Sequence, residues 1–104
     1  MTESEFAIAS GELLSRIEEA IDAVDLDIDF ERKGDGVLEI EFADRSRVIV
    51  NAQAPMRQIW VAAKSGGFHF EFGGGWRDTR TGESLMVLLA RVISEQARVA
   101  VDLG

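Results

Sequence analysis

The densest concentration of chemically active side chains in the sequence is a run of carboxylates in its first third. No lysine or arginine interrupts the stretch from position 18 to position 31, and its acidic residues are Glu18, Glu19, Asp22, Asp25, Asp27, Asp29 and Glu31. Like charges at three- and four-residue spacing on a helix repel each other by a few tenths of a kcal/mol per pair. The protein therefore either tolerates this repulsion or uses the negative charge for binding.

Carboxylate oxygens are hard donors, and they suit iron, manganese, calcium or magnesium better than structural zinc, which prefers nitrogen and sulfur. The chain has no cysteine and one histidine, His69. Because the spacing of the carboxylates defines no closed cage, we expect weak, multiple and exchangeable cation sites. The charge pattern alone does not distinguish such sites from a solvated acidic face that binds nothing specific.

A helix followed by a strand must position these carboxylates. Thr2 and Glu5 form a capping-box pattern, and apolar residues recur at helical spacing from Phe6 to Val24, where the helix should end. From Leu26 the apolar period changes to two, which is typical of a strand with one wet face. The spacing places Glu18, Asp22 and Asp25 along one helix edge with Glu19 beside them, and Asp27, Asp29 and Glu31 on the outer face of the strand.

The rest of the chain alternates between short strands and turns before a second helix. We predict strands at 26–31, 37–42, 47–51, 56–62 and 68–72, a short strand from Trp76, and a helix from about Gly82 to Ala97, with turns that include Lys33–Gly36 and Gly66-Gly67. Strands joined by such short turns are antiparallel. Both helices have one apolar face, so the sequence predicts an α+β fold: a single domain, residues 1–104, in which two helices cover one face of a five- to six-stranded antiparallel sheet.

The uncovered face of this sheet is a second candidate site. Asn51, Gln58, Trp60 and His69 should project from it, because Ile59 and Val61 alternate with their neighbours and face the core. An exposed tryptophan among amides is typical of a protein-binding hot spot. If the register were shifted by one residue, Trp60 would instead face inward. We expect His69 to be an ordinary exposed strand residue, since no serine or cysteine nucleophile accompanies it.

Charge and composition indicate which kinds of binding partner and which cellular location to expect. Residues 1–44 contain 14 acidic and three basic side chains, whereas residues 45–104 contain five acidic and eight basic ones. The net charge of −8 argues against nucleic acid and favours cations or a basic protein. The absence of cysteine excludes disulfides and thiolate metal centres. No apolar run approaches the length of a membrane span, and we expect a cytoplasmic protein without membrane contact.

One segment of the chain resembles a known family. The run Asn51-Ala-Gln53-Ala-Pro55-Met-Arg-Gln58-Ile-Trp60 closely resembles the signature of the frataxin family, and most closely that of its bacterial members. The similarity continues through Lys64-Ser-Gly-Gly-Phe-His69-Phe and Trp76 into the second helix. It also extends back to Ser4-Glu5-Phe6 and the acidic first helix, so it covers nearly the whole chain.

The resemblance implies an α–β sandwich with an acidic ridge on the first helix and first strand. It also implies weak binding of ferrous and ferric iron at this ridge and a role in iron–sulfur cluster assembly. In bacteria the implied partner is a cysteine desulfurase, whose basic surface would receive the ridge. Glu18, Glu19, Asp22 and Asp25 match the ridge positions, and Asp27 and Asp29 lie in the matching strand. Asn51, Gln58 and Trp60 match exposed sheet residues associated with partner contact, and with Gln53 they form the candidate partner-binding set.

We therefore expect an iron-binding protein that regulates cluster assembly or supplies iron to it, rather than an enzyme. Its partners would be the cysteine desulfurase and the iron–sulfur scaffold machinery, and we expect a monomer, with iron-driven oligomerisation left open. Two alternatives remain at this point. One is a ferroxidase that oxidises and stores iron, and the other is an acidic interaction module that docks on a basic protein without metal.

Overall fold

The computed structural model describes residues 1–104 as six strands in one sheet with two helices. The elements, in chain order, are α1 (Glu3–Asp22), β1 (Ile28–Arg32), β2 (Val37–Phe42), β3 (Arg47–Gln53), a 3₁₀ turn (Ala54–Met56), β4 (Gln58–Ala63), β5 (Gly66–Phe72), β6 (Trp76–Asp78) and α2 (Leu85–Ala97). Every strand pairs antiparallel with the next, so the spatial order follows the chain order from β1 to β6. This confirms the predicted α+β fold, with six strands.

Helix α1 begins at the predicted capping box. The Thr2 hydroxyl accepts a hydrogen bond from the Glu5 backbone N–H at 3.1 Å, and the Glu5 carboxylate accepts one from the Thr2 N–H at 2.7 Å. Hydrogen bonding of the Glu5 carboxylate to the Thr2 backbone N–H, and to the Thr2 hydroxyl beside it, holds the pKa of Glu5 below its usual value. The helix ends at Asp22 with Ala23 as its C-cap, two residues before the predicted end. Everything between Asp22 and Ile28 is therefore a loop.

The two helices cover the same face of the sheet, as predicted. A single core of 19 buried apolar residues draws on both helices and on the inward side chains of strands β2 to β6. In β2, for example, Leu38 and Ile40 are fully buried while the alternating Val37 and Glu39 are half-buried on the other face. The outer face of the sheet has no helix against it, and it is referred to below as the open face.

Three further boundaries differ from the prediction for local reasons. A 3₁₀ turn spans Ala54–Met56 with Pro55 near its start, and Arg57 has a left-handed backbone, so β4 begins at Gln58 rather than Met56. The β4–β5 connection is a two-residue turn at Lys64-Ser65, and Gly66 and Gly67 belong to β5. Gly82 has a φ of +77° and lies in the loop before α2, which starts at Leu85.

Candidate functional site: the acidic ridge and the open sheet face

The acidic ridge is formed by one helix end, one loop and one strand. We use the name for Glu18, Glu19 and Asp22 at the end of α1, Asp25 and Asp27 in the α1–β1 loop, and Asp29 in β1. The placement of Asp25 on the helix and of Asp27 in the strand was wrong, because α1 stops at Asp22 and β1 starts at Ile28. The order along the chain still keeps all six residues at one end of the α1–β1 unit.

Most carboxylates of the ridge are free in solvent. Glu19, Asp22, Asp25, Asp27 and Asp29 are exposed, and their side chains take part in none of the hydrogen bonds or ion pairs of the chain. Glu18 is the exception. Its two carboxylate oxygens accept hydrogen bonds from Arg32 Nε at 2.9 Å and from an Arg32 terminal nitrogen at 3.1 Å, a bidentate pair. Five of the six ridge acids therefore remain available to an external cation.

The geometry of the ridge is open rather than coordinating. The structure contains no group of three or more histidine, cysteine, aspartate or glutamate side chains close enough together to hold a metal ion. Fixed metal centres in proteins need several ligands converging at about 2 Å. Separate exposed carboxylates can instead attract hydrated cations and exchange them rapidly. The prediction that the ridge binds iron stays a prediction.

The helix end makes the ridge electrostatically costly. The last turn of α1 contains no basic side chain, and Glu19 and Asp22 lie near the partial negative charge of the helix C-terminus. A negative side chain at this end costs about 0.3–1 kcal/mol when it is exposed. The chain therefore concentrates negative charge at a point where the fold itself disfavours it.

The sheet adds acidic residues next to the ridge that the sequence analysis missed. Across the β1–β2 pair, Asp29 lies opposite Glu41 and Glu31 lies opposite Glu39, so like charges face each other directly. Arg47 offsets part of this repulsion, because it reaches both Glu39 at 3.3 Å and Glu41 at 3.4 Å. The alternation of β2 already placed both glutamates on the outer face, but the register that brings them beside β1 was needed to recognise them.

The predicted partner-binding residues lie together on the open face, on β3 and β4. The β3–β4 register pairs Asn51 with Trp60 and Gln53 with Gln58. Ile59 and Val61 are buried, which confirms that Trp60 faces outward and that the register is not shifted. We use the name sheet centre for Asn51, Gln53, Gln58, Trp60 and their β5 neighbours.

Two β5 residues complete this surface. His69 lies opposite Trp60 and Glu71 lies opposite Gln58 in the β4–β5 register. His69 is an exposed strand residue, as predicted. Its imidazole also stacks on the Trp60 indole, with ring centroids 4.4 Å apart and planes 9° from parallel. The sequence would have predicted this pairing if the two-residue turn had been assigned to Lys64-Ser65 instead of Gly66-Gly67.

The hydrogen bonds of the sheet centre form a short chain. Gln58 Nε2 donates to Glu71 Oε1 at 2.9 Å, and Trp60 Nε1 donates to Gln58 Oε1 at 2.8 Å. Trp60 is half-buried between its neighbours, and Gln58 is 9% exposed although it lies on the open face. The amides of Asn51 and Gln53 are half-buried and make no side-chain hydrogen bond within the chain.

The two surfaces are separate regions of one molecule. The ridge lies at the β1 edge of the sheet, whereas the sheet centre lies on β3, β4 and β5. With neighbouring strands about 4.8 Å apart, β1 and β4 are separated by about 14 Å. A partner could therefore contact both surfaces at once. Neither helix is long and apolar enough to cross a membrane.

Comparisons with known proteins agree with this architecture. The family model described as the frataxin-like domain matches residues 1–99. The protein named iron-sulfur cluster assembly protein CyaY from Dechloromonas aromatica is 50% identical over 104 residues, covering 99% of both chains. A protein of the same name from Ralstonia nicotianae is 51% identical over 108 residues, covering 99% of this chain and 95% of its own.

Solved structures give the same result for the fold. Frataxin from Psychromonas ingrahamii superposes with a TM-score of 0.92 at 32% identity, covering 100% of this chain and 99% of its own. Yeast frataxin superposes with a TM-score of 0.64 at 27% identity, covering 92% of this chain and 80% of its own. The sequence signature, the six-stranded sheet with two helices, and these matches together establish that the chain belongs to the frataxin-like family.

Proposed function

We propose that the protein acts in iron–sulfur cluster assembly, where its acidic ridge binds iron ions as exchangeable cargo and docks on the basic surface of a cysteine desulfurase. The observation that carries this proposal is the set of five exposed ridge carboxylates without partners inside the chain. The relatives named as iron–sulfur cluster assembly proteins support the pathway. The sheet centre supplies a second contact surface for the assembly machinery.

The donor set of the ridge fits iron as a passing ion better than iron as a resident cofactor. Oxygen donors suit both Fe²⁺ and Fe³⁺, and exposed carboxylates bind cations without desolvating them fully. No three ligands converge, so binding is weak and ions exchange with solvent. Weak binding suits a protein that senses or delivers iron, because a tightly held ion would not be released to a partner.

The same carboxylates favour a basic partner through long-range attraction. Clusters of one charge sign raise association rates by 10-fold to 1,000-fold when the partner has the opposite sign. Such steering weakens as salt screens exposed charges over about 8 Å at physiological ionic strength. Ion binding and partner docking would then compete for one surface or combine on it.

We further propose that the protein has no enzymatic activity of its own. A ferroxidase would have to hold iron ions close together, and the ridge acids are spread over a helix end, a loop and a strand. Oxygen uptake in the presence of Fe²⁺, compared between the native protein and the Asp22→Asn, Asp25→Asn variant, tests this point. A rate that exceeds the protein-free rate and falls in the variant would support the ferroxidase alternative.

The function itself is tested by a reconstituted cluster-assembly assay, run with and without the protein across a range of iron concentrations. Reversal of two ridge charges, Asp22→Lys with Asp25→Lys, should abolish the effect of the protein on the rate. A matched control reverses two exposed acids outside the ridge, Glu95→Lys with Asp102→Lys, and should keep the effect. An equal effect from native protein and ridge variant would contradict the proposal.

The metal half of the proposal has its own test. Ferrous iron is titrated into the protein under anaerobic conditions while backbone amide resonances are followed by NMR. Amides of Glu18, Asp22 and Asp25 should broaden or shift before those of α2. If the ridge amides do not respond, while desulfurase binding persists unchanged under chelation, the metal-independent interaction module is the correct reading.

A further inference from the structure

The hydrogen bonds of the sheet centre determine the orientation of Gln58. A carboxylate can only accept hydrogen bonds, so the Gln58 side chain must present its NH₂ group to Glu71. Its carbonyl oxygen therefore faces the other way and accepts the indole N–H of Trp60. This uses the one hydrogen-bond donor that a tryptophan side chain has.

Glu71 makes this contact although another partner is adjacent. Its direct cross-strand neighbours are Gln58 on one side and Arg77 on the other. Arg77 forms no ion pair with Glu71, and the carboxylate is directed to Gln58 instead. Glu71 is exposed and contributes nothing to the core. Its contact in the folded chain is the hydrogen bond to Gln58, and Gln58 in turn accepts a hydrogen bond from Trp60.

His69 fixes the same tryptophan from the side. The imidazole lies nearly parallel to the indole at 4.4 Å, which is offset or face-to-face stacking distance. His69 is exposed while Trp60 is half-buried, so the histidine covers one face of the indole. With its N–H bonded to Gln58 and one face covered, Trp60 has little freedom to change rotamer.

We propose that Glu71 and His69 are positioning residues that hold Gln58 and Trp60 ready for partner contact. In this arrangement a partner meets the exposed part of the Trp60 ring, the imidazole of His69 and the free amides of Asn51 and Gln53, but not the indole N–H, which is already bonded to Gln58. Side chains that are ordered before docking lose less entropy on binding. This inference rests on the proposed role of the sheet centre as a docking surface.

The first test uses the free protein and the indole proton of Trp60. Solvent exchange of this Nε1–H, followed by NMR, should accelerate about fivefold in Glu71→Ala, as expected for loss of one hydrogen-bond partner in the chain. Glu71→Gln retains an acceptor oxygen for Gln58 and should restore slow exchange. Trp76 provides an internal reference resonance, and Glu95→Ala, an exposed glutamate on α2, is the matched control.

The stacking contact is tested by a second pair of variants. His69→Ala should also accelerate exchange of the Trp60 indole proton, whereas His69→Phe keeps an aromatic ring against the indole and should restore it. Dissociation from the desulfurase–scaffold complex should become about threefold to fivefold faster in Glu71→Ala and His69→Ala. The two rescue variants should dissociate at nearly the native rate.

The outcomes separate this inference from the proposed function. Unchanged indole exchange in both alanine variants overturns the inference. Native partner affinity in Glu71→Ala and His69→Ala also overturns it when Trp60→Ala weakens binding. If Trp60→Ala itself binds normally, the sheet centre is not a docking surface, and that part of the proposed function fails instead.

Discussion

On the acidic ridge, five of the six carboxylates have no partner inside the chain, whereas at the sheet centre Glu71, Gln58, Trp60 and His69 are hydrogen bonded or stacked in sequence. The ridge lies at a helix end, where negative charge is disfavoured. The sheet centre lies on adjacent strands, where the register fixes each neighbour. If both surfaces contact a partner as proposed, the contrast predicts two modes of recognition, one by long-range charge and one by pre-ordered contact.

This difference has a kinetic meaning. Unpaired surface charges act over the Debye length and mainly change how fast two proteins meet. Pre-ordered aromatic and amide groups act at contact and mainly change how long a complex survives. The two regions of this molecule should therefore affect different rate constants.

The largest effect is expected at the sheet centre. Trp60→Ala should weaken binding to the desulfurase–scaffold complex by about 2 kcal/mol, roughly 30-fold, because a central tryptophan is a typical hot spot. The loss should appear as faster dissociation, measured by surface plasmon resonance. A thermal melt of the variant checks that the fold is retained. An unchanged dissociation rate with slower association would contradict the assignment.

The ridge should give a smaller effect of a different kind. Asp22→Asn with Asp25→Asn should slow association by about 10-fold at low ionic strength and leave dissociation nearly unchanged. At about 0.5 M salt the difference should almost disappear, because screening removes the attraction that the variant lacks. The same rate constants for native and variant at low salt would show that the ridge does not steer the partner.

Ridge carboxylates should also destabilise the free protein. Asp22→Asn should raise the free energy of unfolding by about 0.3–1 kcal/mol, because it removes negative charge from the C-terminal end of α1. Urea denaturation measures the change. The matched control is Glu3→Gln in the first turn, where negative charge is favourable, and this variant should lose stability. If both variants shift stability in the same direction, the helix end is not the cause.

The smallest effect concerns an acidic residue of α1 that is partnered rather than free. Hydrogen bonds from the Thr2 backbone and hydroxyl lower the pKa of Glu5 from its usual value of 4.5. A lowered folded-state pKa contributes stability above pH 4.5, and this contribution is lost as the pH falls through the folded-state value. Glu5→Gln should therefore flatten the pH dependence of stability in this acidic range, as measured by urea denaturation at several pH values. A native-like pH dependence in Glu5→Gln would contradict the capping-box assignment.

Much of the fold was predictable because local patterns determine it. The capping box at Thr2, the helical period after Phe6 and the alternation in β2 each predicted the correct element. The predicted ends of helices and strands were less accurate where the backbone adopts an unusual conformation. The end of α1 at Asp22 and the left-handed Gly82 before α2 moved residues from helix to loop, and Asp25 was misplaced for the first of these reasons.

The two candidate surfaces were predictable as sets of residues but not as arrangements. The acidic run identified the ridge, but the pairing of Glu18 with Arg32 joins residues on different elements, so no local spacing reveals it. The stacking of His69 on Trp60 and the approach of Glu41 to Asp29 depend on strand register in the same way. Register follows from turn lengths, and the β4–β5 turn was predicted two residues too late.

We propose that the ridge and the sheet centre contribute independently to partner binding, one to association and the other to dissociation. It is tested most directly by measuring both rate constants for the native protein, Asp22→Asn with Asp25→Asn, Trp60→Ala, and all three substitutions combined. Association should be slower in the first variant and dissociation faster in the second, and the free-energy changes should add in the combined variant within about 0.5 kcal/mol. Strong non-additivity, or a change in the same rate constant from both regions, would contradict it.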